Sequence, residues 1–283
     1  METRHLSSQI LLSTAGALFL WGASTSGAGA TEPCGNLGKC KVLIETNASD
    51  GDIGFHFLLD GGELVSAEIR DPSGSVIFSE EAEGRLERQT FTETFVESAE
   101  PVCRNRLREE PDDTVVTLTQ FLRRWAAGTY SFEGKDEDGE ILYGETELTY
   151  ELPATPEDVD FDGSIISWDA GEDLGECAST GQLERLVSSG RLPIHPEDVK
   201  VDAWEIVLQP DVDGGDPMGN LVFSIRVPGD IDPKAVTVPA EYLASLPDDT
   251  PVKIEVGAIG GEDNATFVEE DGFCANVVEG CQE

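Results

Sequence analysis

The stretch that decides the fold is Pro156 to Trp168, PEDVDFDGSIISW. Asp158, Asp160, Asp162, Gly163, Ile165 and Asp169 approach the spacing of a helix–loop–helix calcium site, D-x-D-x-D-G with an acid at position twelve. Such a loop needs a helix on each side. Pro153 and Pro156 stand upstream, and proline disfavours helix at its own position and at the residue before it. Downstream, Ile165, Ile166 and Trp168 are β-branched or aromatic, and Gly171 and Gly175 follow. The stretch therefore reads as a strand ending near Phe161, a tight Asp162-Gly163 turn, and a second strand from Ser164 to Trp168.

The preceding half of the chain has the same character. Val42 and Ile44 alternate with their neighbours, and Phe55, Phe57 and Leu59 share one face of a strand. Asp60-Gly61-Gly62 is expected to turn the chain into Leu64–Ile69, and Asp71-Pro72-Ser73-Gly74 to turn it into Val76 and Phe78. Leu86 to Val96 reads as extended. One helix interrupts the strands: Leu118, Phe121, Leu122 and Trp125 form an i, i+3, i+4, i+7 stripe, with a Thr117–Gln120 capping box and Gly128 as the stop. Two strands follow, one with Tyr130 and Phe132, the other with Leu142, Thr146, Leu148 and Tyr150. Five to seven strands and one helix predict an immunoglobulin-like β-sandwich over residues 31–152. Leu152-Pro153-Ala154-Thr155-Pro156 is a short, proline-stiffened boundary.

The first thirty residues read as an export signal. Arg4 lies in a short polar region, Ile10–Trp21 is apolar, and Ala28-Gly29-Ala30 is a cleavage pattern leaving Thr31 as the mature start. Removing Glu2 and Arg4 with this segment leaves the net charge at −39. The expected location is secreted, periplasmic or extracellular, without membrane insertion. A field this negative repels nucleic acid and anionic membranes, so the expected partners are a protein or a cell-surface polymer.

The six cysteines, Cys34, Cys40, Cys103, Cys177, Cys274 and Cys281, all follow the signal segment, and an even count in an exported chain predicts disulfides. No C-x-x-C pair occurs and only His56 and His195 remain, so structural zinc is not expected.

Residues 153–271 resemble a fibronectin type III domain. The Pro156–Trp168 pair of strands matches that family's first two, with Trp168 at its core tryptophan. Ala203–Leu208 resembles the third strand, with Trp204 where the family usually has tyrosine. Leu221–Val227 resembles the fourth, Val236–Pro239 with Leu246 and Thr250 the approach to the family's tyrosine corner, and Val252–Ala258 and Ala265–Glu269 the last two strands. The chain departs from the family twice. Val252 stands in place of the corner tyrosine. Residues 170–200 make a connection of 31 positions where the family has a short loop, and Leu183, Leu186 and Val187 between Thr180 and Gly190 predict a helix in it. A long loop of this kind is often functional.

The expected fold is thus all-β: two tandem immunoglobulin-like, fibronectin III-like sandwiches, one short helix in the first and one in a long loop of the second, then a cysteine-containing tail over 272–283. The resemblance also bears on the disulfides. It puts the 170–200 connection at the pole facing the first domain and the end of the last strand at the other, roughly 23 Å away for a seven-residue strand. Bonded cysteines need Cα atoms within about 7 Å. The implied pairing is Cys274 with Cys281, Cys34 with Cys40, and Cys103 with Cys177 across the junction. A tail folded back along the sandwich would instead bring Cys274 or Cys281 to Cys177.

No nucleophile elbow, P-loop, H-E-x-x-H or dinucleotide fingerprint occurs. His56, between Phe55 and Phe57, points to the opposite face and reads as structural; His195, between Ile194 and Pro196, is a weaker catalytic candidate. The chain reads as no enzyme and as needing no cofactor, calcium being the one candidate ion. Its donors are Asn47, Asp50 and Asp52, on a compact loop with Glu45 just upstream; Asp211, Asp213 and Asp216 are a second set. Asn47-Ala48-Ser49 and Asn264-Ala265-Thr266 also fit the N-glycosylation pattern. The function read from the sequence is an exported binding, adhesion or structural protein. The alternatives are an accessory module of a secreted carbohydrate-active hydrolase, or a weak hydrolase itself, and a calcium-binding surface protein.

Overall fold

The computed structural model describes residues 34–103, 115–212 and 215–281. The expected export signal over 1–30 and the candidate ligand Asp213 lie outside them. The fold is an all-β sandwich architecture. The first half comprises β1 (Gly38–Asn47), β2 (Asp52–Arg70), β3 (Val76–Glu81), β4 (Phe91–Glu97), β5 (Val102–Cys103), β6 (Val115–Val116), helix α1 (Leu118–Arg124), β7 (Gly128–Asp136) and β8 (Ile141–Leu148). α1 carries the Thr117–Gln120 capping box, and Leu118, Phe121 and Leu122 are its buried stripe. The sequence expectation fails at Asp60-Gly61-Gly62, where the chain does not turn back. β2 runs straight through as one 19-residue strand, with register shifts between Asp60 and Leu64 and between Leu64 and Ser66. Its first half pairs with β1 and β4 and its second with β3 and β7, so one bent strand serves both sheets. Bulges at small residues allow such a corner without a hairpin.

The second half has two sheets. β9 (Pro156–Phe161), β10 (Ile165–Ala170) and β13 (Ala235–Thr237) form the smaller one. The larger has the order β12 (Phe223–Pro228), β11 (Val201–Pro210), β14 (Thr250–Gly260) and β15 (Ala265–Ala275). Asp162 builds the β9–β10 turn: its Oδ1 accepts from the amides of Ser164 and Ile165, and Gly163 takes a φ of 94°. Trp168 is 3% exposed and packs on Trp204, ring centroids 5.8 Å apart. Trp168→Ala is expected to lower stability by about 3 kcal/mol, the low end of the usual range for an aromatic core site. The reason is that Trp168 Nε1 is buried without a hydrogen-bond partner, so its removal also relieves a desolvated donor. Urea unfolding checks this; an unchanged midpoint would contradict the core assignment.

Where Val252 replaces the corner tyrosine, the side chain is fully buried. The anchoring hydroxyl comes from elsewhere. Tyr242, on the one-turn helix α3 (Ala240–Leu243), places its hydroxyl 3.0 Å from the carbonyl oxygen of Leu208 and 2.9 Å from that of Leu221. The last strand also extends beyond its sequence-based limit, so that Cys274 stands on β15 rather than in a tail.

The long connection holds helix α2 (Thr180–Ser188), capped by Ser179 with Gln182. Its apolar residues do not join the second core. Leu174, Cys177, Ala178, Leu183, Leu186 and Leu192 belong to the cluster that also contains Phe55, Phe121, Tyr130 and Phe132. A loop of the second sandwich thus completes the core of the first. The cysteines sit in three disulfide pairs, Cys34–Cys40, Cys103–Cys177 and Cys274–Cys281, with Cα separations of 5.5, 4.7 and 5.6 Å. Among the described residues no helix is long and apolar enough to cross a membrane.

Candidate functional site

Two features dominate the junction between the halves: a seam that joins the sheets and a cleft beside it. In the seam, β1 pairs in parallel with β15, Glu45 to Ala265 through Asn47 to Phe267. The larger sheets of both halves thereby become one 12-stranded sheet. Asn264, 1% exposed, closes the seam. Its Oδ1 accepts from the Ile44 amide at 2.8 Å, and its Nδ2 lies 3.1 Å from the Thr149 carbonyl and 3.2 Å from that of Glu151. Thr266 Oγ1 donates to the Pro153 carbonyl at 2.6 Å. The Asn264-Ala265-Thr266 triplet is therefore a buried structural clasp, with no access for a glycosyl group.

On the outer face of this sheet, His56 of β2 lies between Glu45 and Glu100. Its Nε2 is 3.3 Å from Glu100 Oε1, and its Nδ1 is 3.8 Å from Glu45 Oε2. His56 is 2% exposed, because β4 and the seam cover the face it points to. These three residues each offer a ligand atom, all within 4.8 Å of one another. The two carboxylates face different ring nitrogens, however. That suits an imidazolium shared between two carboxylates better than a cation held on one nitrogen. Burial pulls the His56 pKa down, but the Glu100 hydrogen bond and the charges of Glu45, Glu100 and Glu97 outweigh it, and the net shift is upward.

The same face carries more carboxylates than cations. Lys41 pairs with Asp263, Lys253 with Glu269 and Arg226 with Glu205. Glu45 and Glu255 have no such partner apart from the more distant His56 and Lys253. Desolvation, then neighbouring negative charge, raises Glu45 to about 7 and Glu255 to about 8. Phe267 lies across Gly257, its directly paired residue on β14, where an added Cβ would fall 2.2 Å from the ring. The aromatic ring fills the space over the glycine and keeps water from this face.

The calcium candidates are arranged differently from one another. Asn47 and Asp50 bond to each other, Nδ2 to Oδ2 and Oδ1 to the Asp50 amide, both at 3.2 Å, so two of the three donors are engaged within their own turn. Asp52 points inward; its Oδ1 is buried without a partner, and desolvation followed by the charges of Glu100 and Asp50 raises it to about 7. Asp216 caps a short 3₁₀ turn through the Met218 amide, and Asp211 lies before the undescribed positions. His195 is half-buried ahead of the turn at Pro196–Asp198, with no acid or base partner among the described residues.

The cleft was not foreseen. It has a volume of about 660 Å³ and lies between α1, the end of β8 and residues 190–193 of the long connection. Leu122, Leu148 and Tyr150 form its apolar wall, and Arg123, Arg191, Glu147 and Glu151 bring opposite charges to it. The Tyr150 hydroxyl is spent inward, 2.9 Å from the Trp125 carbonyl and 3.0 Å from the Ala127 amide, which fixes the ring. The amphipathic helices on either side were legible in the sequence; their meeting across 60-odd residues was not.

No family model matches the chain, and no curated protein does. Among solved structures, the chain is similar to the BSP domain of a biofilm-associated protein, at 10% identity and a TM-score of 0.22, covering 86% of this chain and 30% of that one. It is similar to a 1.5-MDa bacterial ice-binding adhesin at 11% identity and 0.22, over 88% and 66%. It is also similar to the fibronectin(III)-like modules of CbhA from Clostridium thermocellum at 10% and 0.22, over 87% and 99%. The chain thus spans less than a third of the first of these structures, and the likeness is one of fold class alone.

Proposed function

We propose that this protein is an exported, non-catalytic binding or adhesion module that presents a fixed surface to a protein or a cell-surface polymer. The observation that supports the reading is the way the halves are joined. A parallel strand pair, the buried Asn264, the Cys103–Cys177 bond and a shared core hold the two sandwiches as one body. Domains that close on a substrate need a compliant interface; a presenting scaffold gains from a stiff one, because less freedom is lost on binding. The three disulfides fit an oxidising compartment outside the cytosol.

The test is a pull-down of cell-surface polysaccharides and proteins by the purified chain, followed by size analysis of whatever is retained. At least one should be retained and none shortened. Shortening of a retained polymer that disappears when a pair of carboxylates is replaced by amides would show a hydrolase instead.

A further inference from the structure

We propose that the cleft between α1, β8 and the long connection binds a neutral polysaccharide segment. The inference rests on the binding-module reading and names its ligand class. Three observations carry it. The first is unspent polarity. With 57 acidic and 18 basic side chains, a guanidinium in this protein would be expected to find a carboxylate. Among the described residues neither Arg123 nor Arg191 has one within 4.0 Å, although Glu147 and Glu151 line the same cleft. Arg191 bonds only the Thr119 hydroxyl, at 3.4 Å, and the Glu151 carboxylate accepts no hydrogen bond from a described residue. Position at the end of α1 favours a cation at 123, but it does not explain Arg191, which comes from a separate segment.

The second observation is the mixture. A guanidinium only donates and a carboxylate only accepts. A ligand that engages both along one cleft must donate and accept repeatedly. Sugar hydroxyls do both, and bonds from them to charged groups are the stronger kind. The wall of Leu122, Leu148 and the fixed Tyr150 ring offers the apolar surface that the C–H face of a pyranose covers. A volume of about 660 Å³ lies within the usual range for small-ligand sites and accommodates a short run of sugar units.

The third is the field around it. A net charge of −39 opposes the approach of polyuronates, sulfated glycans and acidic peptides, and leaves a neutral chain unaffected. Charge therefore selects the neutral polymer.

The experiment is calorimetric titration of the full chain with mixed-linkage β-glucan, xylan, galactomannan and dextran. Alginate, hyaluronan and poly-glutamate serve as anionic probes. Saturable binding to at least one neutral polysaccharide is expected, insensitive to sodium chloride. It should weaken at least about tenfold in Arg123→Ala with Arg191→Ala and, separately, in Glu151→Ala. These side chains are exposed, so the thermal midpoints of the variants should stay that of the parent. Absence of binding to all four neutral polymers would overturn the inference. So would binding confined to the anionic probes, or affinity undiminished in the variants. If the sugars fail while a protein partner is retained in the pull-down, the ligand class falls and the binding-module reading stands. Binding accompanied by release of reducing ends would support the ligand class and overturn the non-catalytic reading.

Discussion

Replacing Cys103 and Cys177 together by alanine is expected to cost about 4.5 kcal/mol of unfolding free energy. The bond closes a ring over a sequence separation of 74, and in the chain-entropy account the stabilisation grows with the logarithm of the ring. Cys34–Cys40, with a separation of 6, is expected to yield about half as much, about 2.4 kcal/mol, on the same treatment. Both members of the long-range pair are buried in the first core. Alanine is therefore preferable to serine, which would bury a hydroxyl. Urea unfolding of the two double variants checks the ordering. A larger loss from the short ring would show that local packing, not ring closure, sets the effect. The variant lacking the long-range bond should still unfold in a single transition, because the β1–β15 seam and the shared core remain. Two separate transitions would mean that the disulfide alone couples the halves.

The second large effect concerns pH. Stability is expected to fall as pH rises from about 5 to 8, by something on the order of 5 kcal/mol. Glu45 is raised from 4.5 to about 7 and Glu255 from 4.5 to about 8, chiefly by desolvation. Over this window the folded protein holds protons that the unfolded chain has already lost, so raising the pH favours unfolding. His56 acts in the same direction. Its folded-state pKa is raised, so the stability it adds is complete at low pH and lost as pH rises through that value. Asp249, which accepts from the amides of Val278, Glu279 and Gly280, is lowered instead, as are Asp71 and Asp162. Their contributions disappear only as pH falls through the acidic range below the window. Thermal midpoints across pH 5–8 at two salt concentrations provide the measurement. Added salt weakens repulsion between exposed carboxylates far more than between buried ones. A slope that survives salt and flattens in Glu45→Gln with Glu255→Gln identifies the seam; a slope abolished by salt alone assigns it to the general surface charge.

The parts of the fold that were legible in the sequence are those whose cause is local. Asp162-Gly163 between two β-branched runs specifies a hairpin, and that hairpin is present. Thr117 with Gln120 ahead of an apolar stripe specifies a capped helix, and α1 is there. The strand order of residues 153–271 followed from a family resemblance spread over many positions. Long-range consequences were not legible. Gly61 and Gly62 fit a turn as well as a bend, and only the pairing of the next strand on a second sheet distinguishes them. His56 was placed on the correct face, but its burial depends on β4 and on strands far along the chain. The cleft arises from an arginine on α1, an arginine on the long connection and carboxylates near β8, none of which is unusual alone.

The shared core has a consequence for the order in which the molecule can assemble. β1 finds its parallel partner, and Ile44 its acceptor on Asn264, 220 positions further along the chain. The first core lacks Leu183, Leu186 and Leu192 until the long connection arrives. Residues 31–152 emerging from a ribosome therefore cannot reach their final packing. They must wait with one edge of β1 unpaired, the kind of edge that recruits other chains. Contacts of such sequence separation are slow to form. A fragment cut at the proline-rich boundary should accordingly aggregate or remain loosely packed, whereas one prolonged through Ala275 should fold. What resembles two beads on a string is, in its kinetics, a single late-closing knot of structure.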